Sequence, residues 1–483
     1  MLVNSFVFWV FFTIILIPYF TIFKGRKRCQ NIWILFCSYF FYGWAEWKML
    51  PLLLAMTAIF YWLGIQISYN NKTNPKLASK LTTLGVLLGL GGLFYFKYLG
   101  FCIDQFSALF ESIGIKTNIS TFNIIMPLGI SFFTFKLIGY VIDVHREYIK
   151  PSRDIVAFGA FIAFFPTIMS GPIDRPSEFL PQLDKGRKAD IKNISEGLKR
   201  ILWGMFMKMC IADRVFGYTE AVFGNYTHHN GITIAFASFL YLFQLYTDFA
   251  GYSEMAVGVS QIMGIRIREN FMRPFWAQNV AEYWRRWHMS LTTWITDYVF
   301  KPLNIKFMDW GNYGLYLATF LNLVIIGIWH GANWTYALFG VYHGIMLIIT
   351  TALTKRRKKL EKQFSLKNNI FYIYSRTLLT FFIFMVGSVL FRAESVTDFF
   401  LTLAQLSNHT GYLFRGDGIP NQLMALLCIL ILMFKEYKDE RNLNIHFIHS
   451  KNAKVEVISI IALISCVLLT ADYNGGQFIY FQF

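Results

Sequence analysis

Residues 317–334 read LATFLNLVIIGIWHGANW. From Leu317 to Ile328 the run is almost purely apolar, and it ends in Trp329-His330-Gly331-Ala332-Asn333-Trp334. A helix that crosses a bilayer needs about 20 mainly apolar residues, so 314–335 reads as one span. Comparable stretches recur at 5–23, 30–46, 49–70, 81–101, 121–144, 201–223, 232–262, 336–353, 370–392, 421–435 and 455–471. The stretch 154–170 is also apolar, but basic loops flank it on both sides, so it reads as a hydrophobic hairpin entering and leaving on one face. Such backbone is tolerated at membrane depth only when other protein buries it. Residues 105–113 and 396–405 read as short amphipathic pieces lying at the surface.

Composition agrees with this pattern. The 483 residues are 55% hydrophobic and 15% charged, whereas a soluble chain carries about 25% charged residues. Disorder, a coiled coil and an ordinary cytosolic enzyme are excluded, leaving an all-α polytopic membrane protein of 11–13 transmembrane helices with re-entrant and interfacial helices. The net charge of +17 lies in short loops between apolar runs, as the positive-inside rule predicts, and not in a nucleic-acid-binding face. Counting the basic loops 24–28, 72–80, 145–153, 185–200, 264–286, 354–363 and 436–451 as cytosolic places both termini outside the cell membrane. The first span is followed by Lys24-Gly25-Arg26-Lys27-Arg28. A signal peptide carries its charge before the apolar run, so this segment reads as retained.

Chemistry is expected where polar residues interrupt apolar runs, because burying them in lipid is costly unless they are paired or employed. Asp248 lies in Tyr246-Thr247-Asp248-Phe249 and is a candidate for orienting a histidine. His330 follows the apolar run and precedes a glycine, so the helix ends or bends beside an imidazole able to accept a proton; a core histidine bonded to a carbonyl is the plainer alternative. His288 closes Trp284-Arg285-Arg286-Trp287-His288, which reads equally as an interfacial belt. Glu282 and Arg286 are spaced to pair on a helix, and His343 is open to either reading. The six cysteines show no C-x-x-C pair and read as small buried hydrophobes. No histidine spacing suits zinc, so no metal is expected, and neither a Walker loop nor a nucleophile elbow occurs.

The ordered segments PLGISFFTFKLIGYVIDVHR (127–146), FFPTIMSGPIDRPSEFLPQL (164–183), YTDFAGYSEMAVG (246–258), NFMRPFWAQNVAEYWRRWHMSLTTWITDYVFKPL (270–303) and GIWHGANW (327–334) resemble the membrane-bound O-acyltransferases. The likeness is to the bacterial branch that O-acetylates alginate and peptidoglycan. It covers nearly the whole chain, read as one acyltransferase domain with core motifs in 121–345, peripheral helices in 1–120 and 365–471 and an aromatic tail in 472–483. The resemblance implies helices around a central catalytic tunnel, His330 as catalytic histidine and His288 as a second functional histidine. Trp329 and Asn333 join Asp248 as candidates for orienting or tunnel-lining roles, and Arg285 and Arg286 as candidates for donor binding. The donor it implies is cytosolic acetyl-CoA, with no bound cofactor; the partner is an extracytoplasmic SGNH-type (Ser-Asp-His) transferase that completes delivery to a polysaccharide. The tail Phe478-Ile479-Tyr480-Phe481-Gln482-Phe483 resembles the end of a companion peptide in D-alanine transfer, making Tyr480 a candidate acyl relay. Three rivals stand beside this reading: D-alanyl transfer to teichoic acid from a carrier protein, a non-enzymatic glycan transporter, and a fatty-acyl transferase.

Overall fold

The protein's computed structural model describes residues 1, 3–116, 124–416, 418–441 and 447–472. Among these residues every regular element is a helix. In lipid only helices and closed barrels satisfy every backbone polar group, and the long apolar runs take the helical solution. The chain forms two compact units, one of residues 1–201 with 255–268 and the other of residues 202–254 with 269–483.

The first unit contains α1 (Phe6–Phe20), α2 (Lys27–Glu46), α3 (Leu50–Thr73), α4 (Pro75–Leu93), α5 (Leu99–Ser112), α6 (Ile130–His145), α7 (Ile155–Ala163) and α8 (Pro176–Leu183). Helix starts follow local chemistry. Ser5 caps Phe8 N–H at 3.3 Å and Asn74 caps Leu77 N–H at 3.2 Å, with Pro75 at the first helical position, where its missing N–H costs nothing. The stretch 154–170, expected as a hairpin, holds α7, capped by Asp154 on Val156 N–H at 2.9 Å, followed by irregular backbone from Phe164 onward that is buried throughout. Protein groups supply its polar partners: Ser38 Oγ accepts from Phe165 N–H at 3.2 Å, and Lys136 Nζ donates to Thr167 Oγ1 at 2.9 Å. Gly129 opens α6 with φ +69°, and a Cβ there would collide with the carbonyl of Ile168, so only glycine fits.

The helices α9 (Ile191–Met205) and α11 (Gly231–Ile262) run through both units. The second unit adds α10 (Asp213–Phe223), α12 (Val280–Trp284), α13 (Met289–Ile295), α14 (Lys301–Lys306), α15 (Asn312–His330), α16 (Trp334–Gln363), α17 (Ile370–Arg392), α18 (Val396–Ala404), α19 (Ile419–Glu440) and α20 (Ala453–Thr470). Here α15 and α16 form a close antiparallel pair. A Cβ on Gly340 would lie 2.6 Å from the Leu323 carbonyl, and one on Gly327 would lie 2.8 Å from Gly340 Cα. Small residues let backbones approach in this way where lipid supplies no hydrophobic drive between helices.

Among the described residues, eight helical stretches are long and apolar enough to cross a membrane: 27–73, 75–112, 231–262, 312–330, 334–363, 370–392, 419–440 and 453–470. The first holds two expected spans, α2 and α3, joined by a single turn at Trp47–Met49. The second fuses the expected span 81–101 with the piece at 105–113 expected to lie at the surface. Three other expected spans are helical yet fall short of those eight for visible reasons. α1 has 15 residues and α6 has 16, the latter enclosed by protein on nearly every side. The 201–223 run carries Lys208 and Asp213 in or beside a π-helical segment, Phe206–Ala212. The chain is thus an all-α, multi-pass membrane protein.

Candidate active site

The site is built in the second unit, from the turn after α15, the short helices α12 and α13, and the segment that precedes them. Asn270 is its hub. The Ser290 backbone N–H points at Asn270 Oδ1 at 3.3 Å, and Ser290 Oγ donates to the same oxygen at 2.9 Å. A backbone N–H can only donate, so the amide is oriented with its oxygen toward α13. His288 Nδ1 lies 3.0 Å from that oxygen and must be the protonated nitrogen, which leaves the lone pair of the neutral ring on Nε2. Asn270 Nδ2 in turn donates to Ser253 Oγ at 3.2 Å on α11, and its carbonyl accepts from Met289 N–H at 2.8 Å.

This network holds His288 in the left-handed region, at φ 43° and ψ 51°. A non-glycine residue stays there only when its surroundings over-determine it. The ring is buried edge-on against Phe249 at 4.6 Å and beside Trp329 at 5.9 Å between centroids. Burial disfavours the imidazolium and pushes the His288 pKa down to about 3, so the ring is neutral at ordinary pH.

His330 is the last residue of α15 and is 5% exposed. Trp329 lies beside it at 5.0 Å, so one indole adjoins both candidate histidines. Phe391 and Phe339 meet the His330 ring edge-on at 5.1 and 6.0 Å. The turn that carries it is fixed by Asn333. That side chain caps α16 by accepting from Thr335 N–H at 3.0 Å, and it donates to the Glu394 carbonyl at 2.8 Å. His330 also lines a cavity of about 20 Å³ together with His343 and Ser388, the rest of the lining being aromatic or leucine.

The remaining candidates have other neighbours. Asp248 is met by Lys208, whose Nζ lies 2.5 Å from it and 2.7 Å from Asp213. Arg286 is committed to Glu282 at 2.6 Å and Glu440 at 2.8 Å, tying α12 to α19, and Arg273 reaches the same Glu440 at 2.9 Å. Arg285 is exposed. Tyr480 lies outside the described residues. Two participants received no role from the sequence: Asn270, whose importance arises from contacts across the chain, and Lys208. The motif Tyr342-His343-Gly344 was visible but ambiguous. Among the described residues no group of acidic, histidine and cysteine side chains is placed to hold a metal ion.

The sequence of the chain matches a known family. A profile of the membrane-bound O-acyltransferase family matches residues 147–393. The probable alginate O-acetylase of Azotobacter vinelandii is 35% identical over 373 residues, covering 76% of this chain and 71% of the relative. The peptidoglycan O-acetyltransferase of Helicobacter pylori is 30% identical over 397 residues, with 76% and 71% covered. The teichoic acid D-alanyltransferase of Bacillus subtilis is 34% identical over 250 residues, with 49% and 62% covered. This chain belongs to the membrane-bound O-acyltransferase family and is an acyltransferase.

Proposed function

We propose that this protein takes an acetyl group from cytosolic acetyl-CoA and passes it across the membrane toward hydroxyls of an extracytoplasmic polysaccharide, where an SGNH-type transferase completes delivery. The observation that carries the reading is the pair of buried histidines flanking Trp329, in a chain similar over about three quarters of its length to alginate- and peptidoglycan-acetylating relatives. His330 is the general base: it takes the proton of the attacking hydroxyl as that oxygen bonds to the thioester carbonyl, and returns it to the departing thiolate. His288, with Nδ1–H committed to Asn270, offers a lone pair at Nε2. It is therefore suited to receive a hydrogen bond from donor or acceptor, not to give one to an oxyanion. The exposed Arg285 contributes positive charge to attract the polyanionic donor, and Tyr480 serves as a transient acetyl carrier.

Base-released acetate and D-alanine from surface polymers, measured in cells making wild-type protein or His330→Ala at equal protein level, test this. Loss of ester-linked acetate from one polymer supports the reading. A fall in D-alanine alone transfers it to teichoic acid, the reading favoured by the Bacillus subtilis similarity, and no change in either removes His330 from catalysis. Undiminished acetate from Tyr480→Phe would end the relay role of that residue.

A further inference from the structure

The mechanism above leaves the developing charge on the carbonyl oxygen without a donor, since the N–H of His288 is already used. It also leaves one buried histidine without a task. His343, on α16, is 0% exposed. Its ring is sandwiched among aromatics: Phe384 stacks on it at 4.6 Å, and Phe339 and Trp284 meet its edges at 4.5 and 5.4 Å. Space for it exists because residue 387 is glycine; a Cβ there would collide with His343 Nε2. Among the described residues neither Nδ1 nor Nε2 finds a hydrogen-bond partner. A neutral imidazole carries one N–H donor and one lone pair, and burying both unsatisfied costs stability that a phenylalanine at this position would not. A buried polar group kept at such a cost calls for an explanation, and a catalytic role is one.

His343 shares its cavity with His330 and Ser388. At about 20 Å³ that space is matched to something the size of one water molecule. A carbonyl oxygen is of that size.

We propose that His343 is a further catalytic residue, whose imidazole N–H binds the carbonyl oxygen of the acyl group under transfer. The proposal rests on the acyl-transfer reading given above. As the acceptor oxygen bonds to the carbonyl carbon, His330 takes the hydroxyl proton and the carbonyl π-electrons move onto oxygen. His343 donates its hydrogen bond to that oxyanion. The carbonyl then re-forms, the carbon–sulfur bond breaks, and the thiolate leaves with the proton returned by His330, so His343 ends the cycle with the proton it began with. A donor aimed at developing charge in a dry site acts on the transition state more than on binding.

The test uses the full chain in membrane vesicles from the producing cells, with acetyl-CoA as donor and both thiol release and ester-linked acetate as readouts. His343→Phe removes the N–H but keeps a ring, while His343→Gln restores a donor. For His343→Phe we expect kcat to fall by roughly 100-fold to 1000-fold, with KM for acetyl-CoA changed by less than about threefold. Its melting temperature should equal or exceed that of the wild type, because an unsatisfied polar group has gone. His343→Gln should recover about a tenth or more of the wild-type kcat. Near-wild-type kcat in His343→Phe overturns the proposal. So does a lost rate that comes with a lower melting temperature and is not recovered in His343→Gln, since that pattern marks a packing role. Wild-type vesicles that transfer nothing from acetyl-CoA overturn the acetyl-transfer reading first, and this proposal with it.

Discussion

Replacing Asn270 with leucine, which matches its shape without its amide, should separate the two functions of that residue. The substitution strips partners from His288 Nδ1, from the Ser290 N–H and hydroxyl, and from Ser253 Oγ. A buried group left unsatisfied costs about 1–3 kcal/mol. The two hydroxyls can rotate toward other acceptors, so the net loss of stability is expected to be roughly 3–5 kcal/mol. The side-chain acceptor that sets the His288 tautomer is then gone, and a displacement of about 1 Å at a reacting group is worth roughly 100-fold in rate. Asn270→Asp is the informative companion. It keeps an acceptor for the same donors but sets a carboxylate against the imidazole, which favours imidazolium and raises a pKa that burial now holds low. Protonation removes the Nε2 lone pair, so the variant should approach wild-type activity at alkaline pH and show, as pH falls through the raised pKa, a loss beyond that of the wild type. The assay is polymer-bound acetate per mole of protein across pH, with melting temperatures of the purified variants. Wild-type acetylation and melting temperature in Asn270→Leu would refute the tautomer argument.

Lys208→Met should destabilise the protein by about 3–5 kcal/mol, because it leaves Asp213 and Asp248 buried without their shared cation; thermal unfolding checks this, and adding Asp248→Asn should restore part of the loss. The two adjacent arginines should behave differently. Arg285→Gln is expected to raise KM for acetyl-CoA by about threefold to tenfold with kcat kept, as for a steering charge. Arg286→Gln should lower the melting temperature, since Glu282 and Glu440 both lose a partner.

The sequence by itself determined the class of fold and the family. Apolar runs of span length force helices, because lipid leaves backbone groups no other partner, and the order of motifs from Pro127 to Trp334 carried the family. Caps such as Ser5, Asn74 and Asp154 act locally, each on the first turn of its own helix. The eight stretches that meet the length and hydropathy of a span among the described residues are fewer than the apolar runs, because α2 and α3 join into one, α1 and α6 are shorter than a span, and the 201–223 run is interrupted by the π-helical segment around Lys208. Only the tertiary structure decided how the polar residues are used. The contact of Asp248 with Lys208, on another helix, is one that no spacing along the chain announces. Asn270 is one asparagine in a basic break until folding brings Ser253, His288 and Ser290 around it. His343 is ambiguous until Gly387, on the neighbouring helix, is seen to make room for its ring. Helix formation is local and patterned, whereas the pairing of buried polar groups depends on which helices meet, and that follows from side-chain packing across the whole unit.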